Sequence, residues 1–174
     1  MAASGAPARE ERRQERGLET PTAWVITISD RGAAGEAEDR SGPAVARLLE
    51  GAGFEVVGRS VIPDEVDEIR ALLREAGGDL VVTTGGTGLA PRDVTPQATA
   101  LEIEYPVPGL AEEMRRAGTA STPMAALSRG IAGVRGRTLI LNLPGSERGA
   151  TESLAAVLPA LVHAVQQLAG QTAH

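Results

Sequence analysis

Apolar residues along this chain come in two alternating kinds of run. Short aliphatic stretches, such as Val25-Ile26 and Leu80-Val81-Val82, are followed by segments where apolar positions recur every three or four residues. The first kind predicts buried strands and the second amphipathic helices. In order, the pattern predicts a strand at Trp24–Ser29, a helix near Pro43–Gly51, a strand at Glu55–Ile62 and a helix from Glu65 to about Ala76. A third strand at Asp79–Thr84 precedes helical stretches around Pro96–Ile103, Leu110–Ala117 and Pro123–Ser128. Ile131–Val134 and Thr138–Leu143, parted by Arg135-Gly136-Arg137, read as an antiparallel pair, and Thr151–Leu168 as a long closing helix. Continuous aliphatic strands alternating with helices imply an α/β fold, a mostly parallel sheet covered on both faces. Such three-layer α/β/α sheets bind ligands beyond the carboxyl ends of their strands. Ser29-Asp30-Arg31, Pro63-Asp64, Gly85 to Gly88 and Pro144-Gly145-Ser146 all fall at those ends.

The first 20 of the 174 residues depart from this pattern. They are small, proline and charged residues, with four arginines offset by four glutamates, and Leu18 is the sizeable aliphatic after Met1. Such a segment buries too little apolar surface to order itself, so residues 1–20 read as a disordered tail and residues 21–174 as one domain. The tail has no apolar core of a secretory signal, and no later run reaches membrane-spanning length, so no membrane partner is expected. The net charge of −6 then belongs to the domain. An acidic surface with one Phe, one Trp and one Tyr is poorly suited to nucleic acid. Cysteine is absent, which excludes disulfides and thiolate chemistry and fits a cytoplasmic protein. Of two histidines, His174 is terminal and His163 falls on the polar face of the last helix. Chemistry must therefore run on carboxylates, hydroxyls, arginines and backbone donors.

Those groups gather around the third strand. Thr83-Thr84 opens into Gly85-Gly86-Thr87-Gly88, and Asp93 follows before Val94-Thr95-Pro96. Glycines allow a backbone to approach a ligand and aim several N–H groups at one anion. A carboxylate beside such a cradle suits a magnesium-bound nucleotide. The quartet alone is shared by many packing turns, and it is neither a Walker loop nor G-x-G-x-x-G. Plainer readings stand beside each candidate. Asp64, Asp93 and Ser146 each precede a helix and read equally as N-caps. Asp30-Arg31 reads as a turn with an ion pair, Arg92 as a partner of Asp93 or of a phosphate, and Met114 and Met124 as core or interface filling.

Longer strings are more specific. ISDRGAAGEAEDRSG (Ile28 to Gly42), VIPDEVDEI (Val61 to Ile69), DLVVTTGGTGLAPRDVTPQAT (Asp79 to Thr99), VPGLAEEMRRAG (Val107 to Gly118), ALSRGIAG (Ala126 to Gly133) and LILNLPGS (Leu139 to Ser146) occur in this order. The chain from about Ala23 to Leu168 resembles the Mog and MoaB-like molybdopterin adenylyltransferases of molybdenum-cofactor biosynthesis. The resemblance implies the molybdopterin-binding-like fold and adenylyl transfer from ATP to the terminal phosphate of molybdopterin. It implies Asp64 and Asp93 as catalytic and magnesium-binding residues. Ser29, Asp30, Arg31, the loop Gly85, Gly86, Thr87 and Gly88, then Ser128, Arg129, Pro144, Gly145, Ser146 and Arg148 are implied as substrate contacts. It also implies a trimer or dimer of trimers, and hand-over of product to a metal-insertion protein. Two departures concern the substrate: Glu147-Arg148 stands where relatives commonly carry proline and lysine, and Ala37 where they often carry an aromatic residue. Two rivals remain. One is a molybdopterin-binding protein without transfer activity, against which both retained aspartates argue. The other is a nucleotide or pyrophosphate hydrolase, whose general base here would have to be a carboxylate.

Overall fold

The computed structural model describes residues 20–171, so the tail expected over residues 1–20 lies, apart from Thr20, outside the described residues. Six strands form one mixed sheet: β1 (Thr22–Ile28), β2 (Glu55–Ile62), β3 (Leu80–Thr84), β4 (Tyr105–Pro106), β5 (Ala132–Arg135) and β6 (Thr138–Leu143), in the order β2-β1-β3-β6-β5-β4. Four strands, β2, β1, β3 and β6, run parallel, and β5 and β4 pair antiparallel along the far edge. Helices α1 (Asp30–Ala33), α2 (Ser41–Gly51), α3 (Val66–Glu75), α4 (Thr95–Ala100), α5 (Pro108–Ser121) and α6 (Glu147–Leu168) join them.

Side-chain alternation along the strands splits the core in two. Ala23, Val25, Leu80, Val82, Leu139 and Leu141 point to the face covered by α2, α5 and α6, where Leu49, Met114, Leu154 and Leu161 meet them. Ile26, Val81 and Ile140 point to the opposite face, against Ile69 and Leu73 of α3 and Ala98 of α4. This is the three-layer arrangement that the aliphatic pattern predicts. The central strand β3 is buried at every residue, whereas edge strand β2 alternates exposed and half-buried positions.

Several boundaries differ from the sequence expectation. The edge strand β4 is only two residues long and contains a proline, too short to show a period. The α5 helix runs through Gly118 to Ser121, and Pro123–Leu127 is a 3-10 turn rather than an α-helix. Met114 is core, but Met124 is 64% exposed. His163 is exposed on α6, as its helical position implies.

Candidate active site

A cleft of about 530 Å³ opens at the carboxyl ends of the parallel strands. Thr27 to Ser29 at the end of β1, Asp39 to Ser41 at the start of α2, Asp64 after β2, Gly85-Gly86 and Asp93 after β3, and Gly145 and Glu147 after β6 line it. One cleft thus collects residues from four separate strand ends.

The glycine loop is built from behind. Gly85 and Gly86 take φ of 107° and 66°, in the left-handed region that favours glycine. A Cβ on Gly85 would run into the Ile28 carbonyl; one on Gly86 would run into the Thr95 hydroxyl and come within 2.9 Å of Asp64 Oδ1. These two glycines let the loop close on the protein itself, beyond any approach to a ligand. The loop carbonyls are then claimed in sequence. Thr95 donates from Oγ1 to Gly85 O at 2.9 Å and from its N–H to Gly86 O at 3.1 Å. Arg129 donates from its N–H to Thr87 O at 2.8 Å, from Nε to Gly88 O at 2.8 Å and from Nη2 to Asp93 O at 2.6 Å. In a planar trans peptide the N–H opposes the carbonyl. The N–H groups of Gly86, Thr87 and Gly88 therefore face away from Thr95 and Arg129, and none has a hydrogen-bond partner among the described residues. They form a set of donors fixed before any anion arrives.

The support extends one layer further. Buried Asn142 of β6 donates Nδ2 to Thr83 Oγ1 and Thr99 Oγ1, both at 3.0 Å, and accepts from the Ile131 N–H. That pins α4 to the sheet and fixes Thr95 behind the loop.

The carboxylates stand beside the loop, Asp64 next to Gly86 and Asp93 next to Gly88. Asp64 and Asp30 exchange bonds, each backbone N–H donating to the other's carboxylate at 3.0 Å. Arg92 grips Asp30 from Nε at 2.9 Å and Nη2 at 2.8 Å, and reaches Glu65 from Nη1 at 2.8 Å. Its partners are thus Asp30 and Glu65 rather than Asp93. Burial, reinforced by the charges of Asp30 and Asp93, pushes the Asp64 carboxyl above its ordinary value; the Asp30 N–H and Arg92 act against that. The Arg92 hydrogen bond, then the Asp64 N–H, holds Asp30 below its ordinary value. Neither Asp64 nor Asp93 caps a helix. The residues preceding α3 and α4 are Glu65 and Val94, without side-chain caps, and Asp93 Oδ2 instead accepts from the Ala90 N–H at 3.0 Å.

The remaining sequence candidates divide. Ser29 lines the cleft and caps α1, accepting from the Gly32 N–H. Pro144 O accepts from the Thr84 hydroxyl at 2.7 Å, which sets Gly145 in the cleft wall. Ser146 caps α6 through the Gly149 N–H. Arg148 pairs with Glu152 at 2.7 Å, and its neighbour Glu147 lines the cleft instead. Arg31 is exposed on α1 and stands apart from the lining. Ser128 lines a separate small cavity with Asn142 and Ser153. Residue-by-residue reading passed over Thr27, Asp39, Arg40, Ser41, Thr95 and Asn142. Asp39 joins Thr27 Oγ1 at 2.9 Å to the Gly42 N–H at 2.9 Å. The signal was the string Asp39-Arg40-Ser41-Gly42-Pro43, polar residues running into a helix start.

Comparison with known proteins agrees with this geometry. The family described as a probable molybdopterin binding domain matches residues 24–163. This chain belongs to that family. The molybdopterin adenylyltransferase of Helicobacter pylori strain J99 is 40% identical over 162 residues, 88% of this chain and 90% of that protein. The crystal structure of the molybdopterin biosynthesis enzyme MoaB of Thermus thermophilus superposes with a TM-score of 0.82 at 53% identity, covering 86% of this chain and 97% of that one. A molybdenum cofactor biosynthesis bifunctional protein of Synechococcus elongatus is 41% identical over 151 residues, 85% of this chain. The chain spans about half the length of that relative, 47%.

Proposed function

We propose that this chain transfers AMP from ATP to the terminal phosphate of molybdopterin, in molybdenum-cofactor biosynthesis. The observation that carries the reading is the glycine loop, which enters at Gly85-Gly86 the cleft that Asp64 and Asp93 also line, on a chain 40% identical to a molybdopterin adenylyltransferase. In this reaction a terminal phosphate oxygen of the pterin attacks the α-phosphorus of ATP. One P–O bond forms, the bond to the β-phosphate breaks, and pyrophosphate leaves. The nucleophile is already anionic near neutral pH, so the described residues need supply no histidine base. They must position two polyanions and neutralise charge at the α-phosphate.

The loop amides hold phosphate oxygens in the required orientation, since Thr95 and Arg129 prevent the peptides from turning. Asp64 and Asp93 suit a magnesium ion: they are hard oxygen donors, and Asp64 is burdened by neighbouring negative charge that a cation relieves. Two carboxylates leave the remaining ligand positions of such an ion to phosphate and water. When bound, magnesium would neutralise charge developing on phosphate oxygens. Asp30 orients Asp64 through their reciprocal bonds, and Arg92 orients Asp30.

The test is incubation with molybdopterin, ATP and magnesium, reading adenylated pterin and pyrophosphate. Asp93→Asn keeps the shape of the side chain, and is expected to lower transfer by about a hundredfold or more while pterin binding survives. Pterin binding without transfer by the wild type would establish the binding-only alternative. ATP cleavage without pterin would establish the hydrolase. Self-association as a trimer or dimer of trimers accompanies this reading, supported by exposed Leu101, Tyr105, Met124 and Leu127, and light scattering of the purified protein reads it. Action in the cytoplasm and hand-over to a metal-insertion protein complete it. No helix among the described residues is long and apolar enough to cross a membrane.

A further inference from the structure

All 17 basic residues of the chain are arginine, yet among the described residues lining the cleft Arg40 is the one that carries positive charge. It faces an acidic company of Glu38, Asp39, Asp64, Asp93 and Glu147. A transfer between ATP and a phosphorylated pterin brings two polyanions together. The glycine loop accounts for one group of phosphate oxygens, so the second polyanion needs its own counter-charge. Arg40 stands at the N-terminal end of α2, where backbone N–H groups and the helix dipole favour an anion.

An independent feature marks the same place. Ser41 is only 5% exposed, lines the cleft, and its hydroxyl has no hydrogen-bond partner among the described residues. A hydroxyl that opens from a buried residue into a cleft, with no protein partner, is a donor free to meet an acceptor. The first turn around it is rigid. Asp39 ties Thr27 to the Gly42 N–H, and Gly42 leaves no room for a side chain against Asp39 and Thr27. The Asp39 carboxylate thereby spends an acceptor on each oxygen within the protein. Arg40 is bound more loosely: its sole ion pair among the described residues is to Glu38 at 3.3 Å, with side chains 72% and 76% exposed. Such a pair contributes little and yields readily to a stronger anion.

We propose that Arg40 and Ser41 form a second phosphate subsite, in the same cleft as the glycine loop, which holds a phosphate group of one of the two substrates. The assignment rests on the adenylyl-transfer reading for the identity of its ligands, and on the Arg40–Ser41 geometry for its existence. The guanidinium supplies a charge-assisted pair of donors and the serine a short neutral one. The two subsites then set the separation between attacking and leaving phosphates.

The experiment is calorimetric titration of the wild type, Arg40→Gln and Ser41→Ala with magnesium ATP and, separately, with molybdopterin, alongside melting curves in inorganic phosphate. Arg40→Gln should weaken one of the two substrates by about tenfold or more and leave the other within about twofold. Ser41→Ala should weaken the same substrate, by less. Whichever substrate is affected names the source of the phosphate. Arg40→Lys should recover part of the loss. Unchanged affinity for both substrates overturns the subsite, and so does equal weakening of both, which would mean a general field effect. Inorganic phosphate separates this outcome from failure of the functional reading. Phosphate should raise the melting temperature of the wild type more than that of Arg40→Gln, whether or not adenylyl transfer occurs. Equal stabilisation of the two proteins overturns the proposal.

Discussion

Two arginine–carboxylate clusters flank the segment that carries the glycine loop, and they do different work with the same chemistry. In one, Glu102 accepts from Arg70 Nε at 2.7 Å and from Arg74 Nε and Nη2, both at 2.8 Å, with its own side chain 6% exposed. It fastens α3 to the end of α4 on the outer face of the sheet. In the other, Arg92 serves two acids, Asp30 and Glu65, and all three side chains are at least two-fifths exposed. The first cluster lies away from the strand ends, and its shared carboxylate is buried although Arg74 is 57% exposed. The second lies at the strand ends and stays wet, and through Asp30 it fixes the carboxylate of Asp64. Ion pairs alone therefore do not mark the active cleft; their position relative to the strand ends does.

The largest effect should come from the carboxylate that the wet cluster orients. Asp64→Asn is expected to lower transfer by about a hundredfold to a thousandfold, without a matching loss of stability. Because burial holds the folded Asp64 carboxyl above its ordinary 3.8, ionising it costs the folded state. That cost is absent below the ordinary value and fully present above the raised one. At pH 7 the Asn variant should therefore melt at or above the wild-type temperature, and the gap should close in acid. Melts at both pH values alongside a transfer assay read this. A variant that loses stability in proportion to activity would erase the distinction between the two clusters.

Glu102→Gln reverses the pattern. It leaves two arginines facing a neutral group in a largely sealed pocket, for a loss of about 2 kcal/mol once the exposure of Arg74 is allowed for. Transfer measured well below the melt should stay within about twofold of wild type. The sign with pH is opposite to that of Asp64. Burial tends to raise Glu102, but its bonds to Arg74 and Arg70 outweigh it, and the carboxyl is held below its ordinary 4.5. The stability it contributes is complete above that ordinary value and lost as pH falls through the lowered one. Denaturant titrations should thus show the wild type and Glu102→Gln converging in acid.

How much of this contrast was legible beforehand depends on range along the chain. The three inner parallel strands declared themselves because burial on both faces demands unbroken aliphatic runs such as Leu80-Val81-Val82. The carboxyl ends of the parallel strands then brought Ser29, Asp64, Gly85, Gly86, Asp93 and Gly145 into one cleft, as the topology rule requires. What stayed hidden was the partner of each charge. Arg92 lies one residue from Asp93 yet pairs with Asp30, 62 positions away, and Arg129 reaches Gly88 across 41. Local spacing cannot encode such pairings. It likewise could not tell Ser146 from Asp64, which both precede helices. Ser146 caps its helix, while Asp64 turns to the Asp30 N–H because α3 starts two residues later. Arg148, implied by resemblance as a substrate contact, is paired with a glutamate one helical turn on.

The smallest expected effect probes the wet cluster directly. Arg92→Ala removes an exposed guanidinium whose pairs are solvent-screened, so the melting temperature should fall by only about a degree or two. Its consequence should appear in catalysis. Without Arg92, Asp30 keeps its bond to the Asp64 N–H but loses the restraint on its own rotamer, and the Asp64 carboxylate loses a nearby positive charge. Transfer should fall about threefold to tenfold, with the loss in kcat rather than in the affinity for molybdopterin. Arg92→Lys should not fully restore it, since a single ammonium cannot grip Asp30 through two nitrogens and reach Glu65 with a third. If Arg92→Ala instead weakened substrate binding at unchanged kcat, Arg92 would be a substrate ligand and the cluster would not be orienting Asp64. If neither changed while stability fell by several kcal/mol, the wet cluster would be a second structural clamp like the one at Glu102.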